Sequence, residues 1–241
     1  MNRKVSIITP CLNSEKTIED TIKSVVNQTY KNIEYIVVDG GSRDRTMEIV
    51  KKYEPLFQGR MKYVSEPDKG IYNAMNKGIK MSTGSLIGII NSDDYYELYT
   101  IEHIVDNMTA DKYQVLYGWL RVLQRKHFVK YIQTTHLEFP DKAVAHPTCF
   151  VSRDVYRKYG LFLESLKLSA DYEFLLRLYK SEAVKFILLP EVLANFRLGG
   201  ASCNNYIYGN FECEIARMIH GYGNFRKLIE AIIKMMFQYI I

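Results

Sequence analysis

Two hydrophobic periods alternate along the first hundred residues. Residues 5–9 form a short, largely β-branched run that Pro10 stops, and over residues 15–28 Ile18, Ile22, Val25 and Val26 fall at helical spacing. The buried-strand pattern returns at 33–38 and ends in Asp39-Gly40-Gly41-Ser42, before a helical stretch from Asp44 to about Tyr53. A third strand at 61–65 leads through Glu66-Pro67-Asp68-Lys69-Gly70 into a helix reaching about Met81, and a fourth at 86–90 ends in Asn91-Ser92-Asp93-Asp94. Strands separated by single helices predict parallel pairing through right-handed crossovers. Beyond this point the pattern changes. A helix at 101–108 is followed by runs at 115–123 and 127–132 that predict antiparallel strands, then by a short helix at 153–159, an apolar helix from Ala170 to about Lys180, and strands at 184–189 and 193–197.

The polar residues gather where the strands stop. Asp93 and Asp94 emerge at a strand's C-terminal end, the edge at which open α/β sheets place their ligands. Two carboxylates this close repel unless a cation or donors lie between them, and a hard divalent ion carried by a diphosphate meets that need. Serine and aspartate are also ordinary turn and N-cap residues, so the bland alternative stays open for these positions taken alone. Thr9, Asp39, Glu66 and Asp68 end the other strands. The loop after the first strand, Pro10-Cys11-Leu12-Asn13-Ser14, has neither G-x-G-x-x-G nor a glycine-rich loop ending in G-K-S/T, which excludes dinucleotide and P-loop sites. Carboxylates on one rim suit hydroxyls and a metal better than bare phosphates, and a ribose, a base edge and a metal-bridged diphosphate would use them all.

Composition narrows the partners. A chain of 241 residues, 47% hydrophobic, can bury one large core. The net charge of +5 is spread along the chain and fits an acidic substrate or an anionic membrane surface better than nucleic acid. Met1 to Lys4 run straight into the first strand with no signal segment, and there is no apolar run of about 18 residues, so the expectation is a cytosolic protein. Cys11, Cys149, Cys203 and Cys213 lack metal-ligand spacing and read as reduced structural residues.

Four motifs in order, V-S-I-I-T-P-C-L-N, Y-I-V-V-D-G-G-S-R-D-R-T, E-P-D-K-G-I-Y-N-A-M-N-K-G-I and N-S-D-D, resemble family 2 glycosyltransferases of the GT-A fold over roughly residues 4–200. The resemblance implies a mixed, mostly parallel sheet flanked by helices, with a nucleotide-binding half at 1–97, an acceptor half at 98–205 and a helical tail at 206–241. It also implies an inverting transferase that uses a nucleotide-diphosphate sugar with Mn²⁺ or Mg²⁺ and acts on a saccharide or lipid-linked saccharide, as in bacterial cell-surface polysaccharide synthesis. On the family pattern Asp39 holds the base or ribose, Asp93 lies nearer the ribose and Asp94 binds the metal. Thr9 and Pro10 match the first-strand pair, while Gly70, Asn76 and Gly78 match the loop and helix beneath the nucleotide. Asp171 matches the catalytic base, although Ala170-Asp171 stands where an acidic pair is common. Such a base is chemically required, since a sugar hydroxyl is a poor nucleophile until a carboxylate takes its proton.

Several positions keep two readings. Asp171 opens a helix and could simply cap it, in which case Glu173 is the next candidate base. Lys69 and Arg197 could steady the leaving diphosphate or be surface charges, and His146 could contact acceptor or diphosphate or be structural. In the tail, Phe225, Leu228, Ile229, Ile232, Ile233, Met236, Phe237, Ile240 and Ile241 mark an apolar helical face beside Arg226, Lys227 and Lys234. That face expects a membrane interface, its own domain or a second subunit in a homodimer. For the chain as a whole the competing functions are a nucleotidyltransferase and a non-catalytic sugar-nucleotide binder.

Overall fold

The computed structural model describes residues 3–124, 127–199 and 205–238. Cys203, Ile240 and Ile241, singled out above, lie outside them. The first half is β1 (Val5–Cys11), α1 (Ile18–Val26), β2 (Ile33–Asp39), α2 (Thr46–Tyr53), β3 (Met61–Ser65), α3 (Ile71–Met81), β4 (Leu86–Ile89), β5 (Tyr95–Tyr96) and α4 (Thr100–Asp106). The second is β6 (Gln114–Gln124), β7 (His127–Ile132), β8 (Phe150–Ser152), α5 (Arg153–Tyr159), α6 (Ala170–Lys180), β9 (Lys185–Arg197), α7 (Tyr206–Ile219) and α8 (Phe225–Gln238).

The described strands form one nine-stranded sheet ordered β3-β2-β1-β4-β8-β6-β9-β5, with β7 paired outside β6. β1 to β4 pair in parallel, and β8 runs antiparallel to both β4 and β6. β1 and β2 are buried along their whole length, because helices cover both faces and strands both edges, and that double burial is why they read as unbroken apolar runs. One face of the sheet packs Ile8, Ile36 and Val38 against α3, α5 and α6; the other packs Ile7, Tyr35 and Val37 against α1, α2 and α4.

Two expectations change. The runs at 184–189 and 193–197 are one strand, β9, which passes through Pro190. Proline cannot donate to the ladder, and the register with β6 slips on either side of Trp119, so the strand crosses its proline at a bulge. β8 was not expected, yet it sits mid-sheet; a Cβ on Gly88 of β4 would lie 2.6 Å from the Phe150 ring, so glycine there seats it. Among the described residues no helix is long and apolar enough to cross a membrane.

Candidate active site

A cavity of about 790 Å³ opens at the C-terminal ends of β1 and β4. Its wall combines the loop from Pro10 to Thr17, the entry to α3 with Asp68, Gly70 and Tyr72, and the turn from Asn91 to Asp93. The second half of the chain adds His146, Pro147, Lys167, Leu168, Asp171, Phe196 and Gly199. Residues from before and after Asn91–Asp93 thus line one space.

Asp93 faces this cavity, whereas Asp94 is completely buried behind it. The Asp94 Oδ1 accepts the Arg197 N–H at 3.0 Å, and its buried Oδ2 has no hydrogen-bond partner. Burial, and then the neighbouring Asp93 charge, push the Asp94 carboxyl well above the usual carboxylate range, while the Arg197 N–H opposes them. Burial raises Asp93 as well. An orphaned carboxylate oxygen beside a second carboxylate fits a hard cation, whose charge would offset both causes. Among the described residues no group of three or more His, Cys, Asp or Glu is placed to hold a metal ion.

Asp171 faces the cavity from the first turn of α6, and its Oδ1 accepts the Tyr72 hydroxyl at 2.8 Å. The residue preceding α6 is Ser169. The amides ahead of the helix, those of Lys167, Leu168 and Ser169, all donate to the buried Glu212 of α7, at 2.6, 2.7 and 3.0 Å. Glu212 therefore pins the segment that enters α6, while Asp171 faces the cavity from the helix's first turn. Glu173 is buried and bound by Arg177 at 3.1 Å and His220 at 2.7 Å, away from the cavity wall. The buried His146 lies on the wall; desolvation lowers its pKa and the Asp171 charge opposes this, so its imidazole is neutral at neutral pH.

The remaining expected residues divide by placement. Pro10, Asp68 and Gly70 line the cavity, with Asp68 accepting the Gly70 N–H at 2.9 Å. Asp39 is fully buried, and its oxygens accept Gly41 N–H at 3.2 Å, Ser42 N–H at 2.9 Å, Ser65 hydroxyl at 2.6 Å and the Ser42 hydroxyl, so it shapes the loop after β2. Thr9 accepts the buried Tyr35 hydroxyl at 3.0 Å. Asn76 brackets Phe162, donating to its carbonyl at 3.0 Å and accepting its N–H at 3.1 Å. A Cβ on Gly78 would fall 2.4 Å from Ile8 Cγ2, so this glycine serves helix–strand contact. Lys69 is exposed and off the wall, and the Arg197 guanidinium pairs with Asp20 at 2.7 Å over the Tyr95 ring. The lining lysines are Lys16 and Lys167. Lys167 was missed because it sits in an irregular segment with no period to mark it. Burial pushes the thiols of Cys11, Cys149 and Cys213 up, which fits structural residues.

The family model described as Glycosyl transferase family 2 matches residues 6–167. The chain belongs to glycosyl transferase family 2. A glycosyltransferase of Rickettsia typhi is 30% identical over 222 aligned positions that cover 86% of this chain and 68% of that one. A PGL/p-HBAD biosynthesis glycosyltransferase of Mycobacterium bovis is 25% identical, with 86% and 81% covered. The fold is shared with S. aureus TarS 1-349 in complex with UDP-GlcNAc, at TM-score 0.71 and 20% identity, covering 88% of this chain and 66% of that one. It is also shared with the mannosyltransferase PcManGT of Pyrobaculum calidifontis in complex with GDP-Man and Mn²⁺, at TM-score 0.70 and 16% identity, with 95% and 68% covered. The chain spans 39% of the longer TarS chain. The expected GT-A type sheet is thus the one observed, this family 2 chain is a glycosyltransferase, and the nucleotidyltransferase and non-catalytic readings fall away.

Proposed function

We propose that the protein transfers a sugar, with inversion, from a nucleoside diphosphate sugar to a hydroxyl of a saccharide or lipid-linked saccharide during cell-surface glycan synthesis. One observation carries this: Asp93, from the nucleotide half, and Asp171, from the acceptor half, face a single cavity whose volume falls in the usual ligand-site range of about 300–1,000 Å³. Asp171 accepts the acceptor's proton on the oxygen that Tyr72 leaves free, the acceptor oxygen bonds to the anomeric carbon, and the bond from that carbon to the diphosphate oxygen breaks with its electrons on the leaving group. Lys16 and Lys167 lie on the wall, where they can meet diphosphate charge, and neutral His146 offers the acceptor a hydrogen-bonding edge. Asp93 and Asp94 would hold Mn²⁺ or Mg²⁺, which when bound supplies Lewis-acid neutralisation of the departing diphosphate. The M. bovis relative's name and the nucleotide sugars in the TarS and PcManGT structures support donor and setting. The test is release of nucleoside diphosphate from UDP-glucose, UDP-GlcNAc and GDP-mannose with Mn²⁺ and a lipid-extract acceptor. Release from at least one, raised by the extract, is expected; none from any would remove the reading.

The same proposal places the enzyme against a membrane. On α8, Phe225, Ile229 and Ile233 recur every four residues and are 68%, 42% and 45% exposed, with Met218, Ile219 and Tyr222 exposed just before them. Arg226, Lys227 and Lys234 outnumber Glu230 on the same helix, so an anionic leaflet complements it in charge as well as polarity. The full chain is expected to pellet with phosphatidylglycerol vesicles, and Ile229→Glu/Ile233→Glu to remain in the supernatant. If both pellet alike the membrane claim is lost, and if the variant instead turns a dimer into a monomer in sedimentation, a second copy covers the face.

A further inference from the structure

The helix α3 presents Tyr72, Asn73 and Asn76 toward the segment that carries the base. Asn73 donates to Glu164 at 2.9 Å, Asn76 donates to Glu164 at 3.0 Å and to the Phe162 carbonyl, and Tyr72 donates to Asp171 at 2.8 Å. Residues 72 and 76 lie one turn apart, so one helix face of the nucleotide half grips residues 162–171 of the acceptor half. Tyr72 is itself almost fully buried, its ring packing at 5.7 Å from Phe162, and it is among the residues on the cavity wall.

We propose that Tyr72 is the positioning residue for transfer: its hydroxyl fixes one oxygen of Asp171, so that the other is presented to the acceptor hydroxyl. This rests on Asp171 being the base. A carboxylate in the first turn of a helix can rotate about two side-chain bonds, and one charge-assisted hydrogen bond from a rigid, packed ring removes that freedom. The donor direction is secure, since burial and the adjacent Asp171 charge hold the Tyr72 phenol protonated well beyond its ordinary range. The other titratable groups that feel the Asp171 charge are His146, beside β8, Cys149 and, from α7, Cys213. Burial keeps all three neutral near neutral pH, so Tyr72 is the group whose hydrogen bond distinguishes the two carboxylate oxygens.

The experiment is steady-state release of nucleoside diphosphate from whichever of UDP-glucose, UDP-GlcNAc and GDP-mannose the wild type uses. Tyr72→Phe is expected to lower kcat about tenfold, with donor KM within about twofold. In an Asp171→Asn background the same change is expected to cost nothing further, because both substitutions then act through one group. Wild-type kcat overturns the positioning role, as does a donor KM that rises along with the loss in kcat, or a full tenfold loss repeated on Asp171→Asn. If Asp171→Asn turns over normally, the base assignment fails first and takes Tyr72 with it, and a wild type that releases nothing removes the transfer reading beneath both.

Discussion

Asp171→Asn lowers turnover by about 10²-fold or more and leaves donor affinity within a few fold, the usual scale for loss of a general base. The substitution is nearly isosteric, and the amide oxygen can still accept from Tyr72, whose bond to Oδ1 is 2.8 Å in the wild type. What vanishes is the ability to take a proton from the acceptor hydroxyl. Single-turnover release with saturating donor, alongside calorimetric donor affinity, separates the two quantities. Preserved turnover would return Asp171 to a helix-start role. Glu173 could not then inherit the chemistry without breaking its pairs to Arg177 and His220, and His146, neutral and on the wall, would be the next group to replace.

Asp94→Asn gives the second large effect, with opposite signs in the two states of the protein. The amide can still accept the Arg197 N–H but carries no charge for a cation, so Mn²⁺-dependent donor affinity falls about tenfold or more while metal-free affinity barely changes. In metal-free protein the wild-type carboxyl is protonated more readily folded than unfolded, because burial and Asp93 raise its pKa. Its contribution is intact below the unfolded carboxylate range, near pH 4, and is lost as pH rises toward the folded value. Metal-free Asp94→Asn therefore melts higher than wild type at neutral pH, with the gap closing toward pH 4, and Mn²⁺ raises the wild type alone. Equal Mn²⁺ shifts in both proteins would move the metal to Asp93 without Asp94.

The legible part of this fold is the part in which burial writes a period. β1, β2 and β4 announce themselves because both faces are covered, and the carboxylates at their ends stand out against the apolar runs. β8 could not be read, since three residues carry no period and a turn through His146-Pro147-Thr148 precedes them. α7 lies within the expected helical tail but shows no marked apolar face in the sequence: Glu212 and Glu214 are among the residues it buries, and buried polar groups are invisible to an apolar pattern. At the site, residue types at the strand ends pointed to a diphosphate and a cation, but which carboxylate turns outward depends on the rotation of the chain as it leaves the strand. Asp93 reaches the wall, whereas Asp94 and Asp39 turn inward, and no spacing rule distinguishes them.

Glu212 bears on how chains of this kind can be recombined. The last described residue on the cavity wall is Gly199, so a polypeptide stopped before Tyr206 would keep all those wall residues. It would nevertheless lose the carboxylate that gathers the amides of Lys167, Leu168 and Ser169 and aligns the stretch leading to Asp171. A chimera that exchanges C-terminal regions between relatives should therefore be joined beyond Ile219, between the last two helices, where the seam leaves that carboxylate with its amides and still frees the apolar, basic face of α8 to be swapped for another address.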